Sequence, residues 1–198
     1  MRHFLQVVHH RSSAGETTTL DPAPRIIYAI DDNAARFENQ VTTLDGSANV
    51  LSFEVVDTPA PHALLSAPLN LGDDDEKNEE RLMRLDRVDF PPGGVAYLHT
   101  HQGPGIRVLL HGEIRIESEG ASHHYRPLEA WFETGPDPVF AAASETDSTA
   151  FVRCMILPRR LLGQSSIRYV REEDAAKPKP QRYTVFVDEP LSDTARAS

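Results

Sequence analysis

The chain has 198 residues, enough for a domain with a substantial hydrophobic core. Subtracting 30 Asp and Glu from 20 Lys and Arg leaves a formal charge of −10, which argues against nucleic acid and anionic membranes as partners. Cys154 is the single cysteine; that excludes an intramolecular disulfide and a cysteine-rich zinc site, and a cytoplasmic location is expected.

In chain order, the opening MRHFLQVVHHRSS has too brief an apolar run for a signal peptide. Residues 1–80 hold two clear strand candidates, 25–30 and 49–56, followed by Thr58-Pro59-Ala60-Pro61 and the acidic run Asp73-Asp74-Asp75-Glu76. This stretch reads as an extension packed on the core, with His3, His9, His10 and His62 at its surface. The acidic run lacks the spaced ligands of a calcium loop and reads as solvated.

Residues 81–158 form the densest ladder, with strand candidates at 82–90, 95–101, 106–110, 113–117, 122–125, 130–133, 139–142 and 149–157. Short runs of β-branched and aromatic residues, punctuated by Gly, Pro, Asp and Asn, are strands joined by turns. Residues 159–198 add candidates at 167–170 and 183–187 around Lys177-Pro178-Lys179-Pro180, then a polar end expected to fray. With 15 prolines and no long helical stripe, the pattern predicts an all-β sandwich or barrel with little helix.

The informative segment runs from Gly93 to Gly112. Residues i and i+2 of a strand share a face, so His99 and His101 project together and can offer two imidazoles to one ion. The same parity puts Val95 and Tyr97 beside them. If the next strand keeps register, Gly105, Arg107, Leu109 and His111 share a face as well. Gly93, His99, His101 and Gly112 resemble the first motif of the cupin superfamily, G-x5-H-x-H-x3/4-E-x6-G, with Gly105 at the glutamate position. Of the second motif only Gly135 matches; Pro127, Glu133, Pro138 and Ala142 stand where Gly, Pro, His and Asn would be.

The resemblance implies a cupin-like jelly roll over residues 81–158, a central small-molecule cavity and a homodimer. It also implies a divalent metal (Fe, Mn, Ni or Zn) held by His99 and His101. Two of the usual four ligand positions are filled by Gly105 and Pro138, which offer no ligating side chain, so another residue or the substrate would have to complete the sphere. His111, His123, His124 and Glu133 are the available side chains. At most one of His123 and His124 can point inward, and His111 reads as a turn residue. Gly105 is expected to widen the pocket.

Arg107 either faces inward, where it needs an anion such as a substrate carboxylate, or faces outward and pairs with a surface acid. Two readings of function stay open. One is a metal-assisted dioxygenase or isomerase acting on a small carboxylated substrate, with Tyr97 as proton donor, Arg107 as anion clamp, and Gly105 and Phe140 lining the substrate. The other is a metal-free binding or sensing protein. A purely structural core is a third. Cys154 reads as a small core residue and not as a nucleophile.

Overall fold

A computed structural model describes residues 3–46, 48–70 and 80–191; the acidic run and most of the polar end lie outside them. The chain divides into two compact units, one ending at Glu80 and taking in Leu191, the other running Arg81–Pro190.

The first unit is built from β1 (His3–Arg11), β2 (Thr17–Leu20), β3 (Arg25–Ala29), β4 (Ala34–Glu38), β5 (Thr42–Asp45), β6 (Asn49–Val56) and β7 (Leu65–Leu69). Five of these make one antiparallel sheet in the order β4-β3-β6-β1-β7, and β2 pairs with β5. Only β3 and β6 are anticipated by the sequence pattern. β1 escapes it because Leu5, Gln6, Val7 and Val8 are buried in succession, which erases the period-2 signal. His3, His9 and His10 are half-buried, against the expectation of full exposure: they face polar side chains, His9 Nε2 lying 2.9 Å from Asn49 Oδ1 and His10 Nε2 2.9 Å from Ser52 Oγ. His62 is exposed as expected.

The second unit contains β8 (Arg81–Phe90), β9 (Val95–His101), β10 (Gly105–His111), β11 (Ile114–Ser118), β12 (Ala121–Tyr125), β13 (Ala130–Glu133), β14 (Val139–Ala143), β15 (Thr149–Pro158), β16 (Ile167–Tyr169) and β17 (Arg182–Pro190), with a 3-10 turn at Arg159–Leu161 and one short α-helix, α1 (Glu172–Ala176). Two five-stranded sheets result, β13-β10-β15-β8-β17 and β12-β11-β14-β9-β16. Without β16 and β17, successive strands pair first with last around the fold: β8 with β15, β9 with β14, β10 with β13, β11 with β12. That is the strand order of a double-sheet jelly roll. Each sheet keeps its own edges among the described residues, so the unit is a sandwich and not the closed barrel also considered.

The segment after 158 belongs to this sandwich: β17 pairs with β8 along its length, and β16 pairs with β9. Between the sheets lie Val88, Phe90, Leu109, Ile114, Ile116, Trp131, Val139, Ala141 and Phe151. β15 is buried in full, residue by residue, and forms the centre of its sheet. Gly112 closes the turn after β10 with φ of +78°, and a Cβ there would stand 2.5 Å from Thr149 Oγ1, so both conformation and space call for glycine.

Candidate functional site

His99 and His101 both point between the sheets and are 5 % and 4 % exposed. Their rings meet edge to face with centroids 4.9 Å apart. Arg107, 1 % exposed, lines the same cavity, so the inward alternative holds and β10 keeps register through Leu109. A bulge between Leu109 and His111 then turns His111 outward. Glu133, Arg153, Trp131 and Tyr183 complete the polar end of the cavity.

The charged groups form a row across the inner face of one sheet. In the ladder Arg107 stands opposite Arg153, and Arg153 opposite Asp86. Two facing guanidinium groups repel, and each is answered by an acid. Arg153 donates from Nε to Asp86 Oδ1 at 2.6 Å and from Nη2 to Oδ2 at 3.0 Å. Arg107 Nη2 lies 2.6 Å from Glu133 Oε2 as an ion pair, yet neither atom gains a hydrogen bond of good angle; the charges meet and the directional bonds do not. Glu133 Oε1 accepts from Trp131 Nε1 at 2.9 Å, and Arg107 Nη1 donates to the Gly105 carbonyl at 2.6 Å. Burial pulls the Arg107 guanidinium down to about 10, with Glu133 opposing. Burial also weighs on Arg153, but Asp86 outweighs it and the net shift is upward.

These contacts fix the histidine tautomers. Arg153 Nη1 sits 3.3 Å from His101 Nε2; a guanidinium only donates, so Nε2 accepts and the proton is on Nδ1, 3.3 Å from Ser166 Oγ. His99 donates from Nδ1 to the Tyr97 carbonyl at 2.7 Å, which leaves the Nε2 lone pair for the cavity. Burial lowers both, His101 well below 6.5 because Arg153 and Arg107 also repel its proton, so both rings are neutral near pH 7.

Tyr97 and Phe140 do not join the cavity. The pairing of β9 with β14 slips between Val139 opposite His99 and Ala141 opposite Ala96, an extra residue that bulges β9 and reverses its parity. Ala96 therefore faces the cavity in place of Val95 and Tyr97, and the Tyr97 ring instead carries Lys177 Nζ, 4.7 Å from its centroid. Phe140 alternates with the inward Val139 and Ala141 and lines a shallow outer groove with Leu98, Glu117 and Pro138. Gly105 does not widen the pocket: a Cβ would stand 2.5 Å from the Cys154 carbonyl oxygen and 3.1 Å from Arg107 Nη1, so its space is already taken by β15 and the guanidinium. His123 and His124 are both exposed.

Asp86 and Arg153 were not singled out by the sequence, although an arginine inside the apolar TAFVRCMILP is a signal of a buried pair. Cys154 is buried and its thiol is pushed well up by burial, in keeping with a core role.

The donor set does not suit a metal ion. His101 Nε2 accepts from Arg153, Glu133 Oε1 accepts from Trp131 while Oε2 is held as an ion pair by Arg107, and two guanidinium groups line the space a cation would enter. Among the described residues no group of three His, Cys, Asp or Glu side chains is arranged to hold a metal. The cavity volume is about 20 Å³, room for one water, and Tyr183, 41 % exposed, marks where it reaches the surface.

Fold and site together define a double-sheet jelly roll with a charged internal pocket. No family model matches the chain, and no curated protein matches it. Among solved structures it is similar to the polyketide cyclase RemF from Streptomyces resistomycificus, with 18 % identity and a TM-score of 0.39 over 50 % of this chain and 66 % of that one. It is also similar to a cupin 2 conserved barrel domain protein from Leptotrichia buccalis, with 13 % identity and a TM-score of 0.43 over 76 % and 89 % of the two chains. AerE from Microcystis aeruginosa gives 11 % and 0.44 over 79 % and 88 %. No helix among the described residues is long and apolar enough to cross a membrane.

Proposed function

We propose that the jelly-roll unit is a small-molecule-binding module whose pocket works without a resident metal. The observation that carries this reading is the guanidinium of Arg153 on His101 Nε2: the lone pair a metal would use is already engaged by a cation. What is left for a ligand is His99 Nε2, the imperfectly bonded Arg107 and Glu133, and apolar walls from Trp131 and Phe151. Such a mix of apolar lining with a few converging polar groups is the usual make-up of a ligand site.

The test is metal uptake. Wild-type protein exposed in turn to Fe(II), Mn(II), Ni(II) and Zn(II) and then desalted is expected to retain well under one equivalent. Arg153→Met, which frees His101 Nε2, is expected to retain more than wild type. One equivalent held by wild type and lost in both His99→Ala and His101→Ala would overturn the proposal. A thermal-shift panel of small organic molecules is expected to yield binders whose stabilisation is lost in His99→Ala; a panel without a binder would count equally against it.

A further inference from the structure

We infer that the ligand of this pocket is a neutral molecule with a hydroxyl or enol head and an apolar body, and not a carboxylate. The inference rests on the pocket reading above and adds the chemistry of what fills it. Within the site Arg107 and Arg153 are balanced one for one by Glu133 and Asp86, and the two histidines are neutral. An entering carboxylate would bring an uncompensated charge into a buried space, at a large desolvation cost. Arg107 has no need of it, because the chain supplies its own anion.

Hydrogen-bond complementarity points the same way. His99 Nδ1 donates to the Tyr97 carbonyl, so Nε2 bears the lone pair and can accept from a donor; a carboxylate has no proton to give. Glu133 Oε2 also lacks a bond of good geometry, and so does the donor Arg107 Nη2. Held to each other at 2.6 Å, the two atoms keep a further lone pair and a further N–H for another partner. A hydroxyl group both donates and accepts, so one oxygen can donate to His99 or Glu133 while accepting from Arg107. Beyond this head the lining turns apolar, through Val88, Phe90, Ile116, Val139 and Phe151, which matches a hydrocarbon ring or chain. With about 20 Å³ free, the cavity as it stands takes only the head, so binding requires these packed apolar side chains and Tyr183 at the mouth to part for the body.

The chain holds a single tryptophan, and Trp131 lines this cavity, so intrinsic fluorescence reads the pocket directly. Full-length protein would be titrated with cyclopentanol and with cyclopentanecarboxylate, a matched pair transparent at the excitation wavelength. The alcohol is expected to bind at least tenfold more tightly. In Glu133→Gln, which leaves Arg107 without its acid, the preference is expected to reverse. Tighter binding of the carboxylate by wild type overturns the ligand class and leaves the pocket reading standing. Binding of neither overturns both. If Glu133→Gln does not fold, as judged by circular dichroism, the wild-type comparison decides alone; a folded Glu133→Gln that keeps the alcohol preference overturns the charge-balance argument.

Discussion

A methyl group on residue 105 would meet the Cys154 carbonyl at 2.5 Å and Met155 Cγ at 2.8 Å, distances that only a shift of β15 could relieve. Gly105→Ala is therefore expected to destabilise the protein by about 1–3 kcal/mol through overpacking, and Gly105→Glu, which restores the residue of the resembled motif, by more. Denaturant midpoints measure both, and a neutral Gly105→Ala would contradict this packing. The histidines give a pH dependence. Folding lowers the values of His99 and His101 below 6.5, so below that pH the unfolded chain binds protons that the folded one refuses. Stability from this source is complete above 6.5 and is lost as the pH falls toward the lowered values. Carboxylates act in the same direction, so the diagnostic is the slope: between about pH 7 and about pH 5, His101→Gln is expected to lose less thermal stability than wild type, and an unchanged slope would refute the assignment. At this scale much of the site was legible. The i, i+2 spacing brought His99 and His101 together; for Arg107 the sequence left inward and outward orientations open, and its burial decides between them. Arg153 was not legible in the same way, because which face of a fully buried strand an arginine occupies depends on its ladder partners, and Asp86 lies 67 residues away in sequence.

β9 shows what alternation cannot reveal. Read from His99 backwards, strict parity carries Tyr97 into the cavity, while the bulge opposite Val139 and Ala141 sends it out. Nothing in VAYLHTH marks the extra residue. The displaced ring gains a use, since Lys177 lies over Tyr97 and Lys179 over Tyr169, pinning the segment between β16 and β17 to the outside of the sheet by cation–π contacts. Tyr97→Phe keeps the ring and removes only the hydroxyl. It is expected to bind cyclopentanol within twofold of wild type, and a tenfold loss would return Tyr97 to the site. The jelly-roll strands themselves were legible because each is bounded by turn residues. In the first unit β2, β4 and β5 were missed for the opposite reason: TTTL and TTLD are short and largely polar, AARFE is short and without alternation, and their pairing is fixed by neighbours and not by their own composition.

The whole molecule carries a formal charge of −10, and its field acts on any ion before the pocket does. An anion approaching the mouth meets net repulsion, and a neutral ligand meets none. Local charge balance in the cavity and the global excess of acid therefore favour the same class of ligand, through independent physics. Salt separates the two levels. From about 0.01 M, where screening extends about 30 Å, to about 1 M, where it extends about 3 Å, cyclopentanol binding is expected to change by less than twofold. The weak binding of cyclopentanecarboxylate is expected to strengthen over the same range as the field is screened. A carboxylate that binds tightly at low salt and weakens as salt rises would mean that attraction to Arg107 and Arg153 prevails over the acidic whole, and the neutral-ligand inference would fall with it.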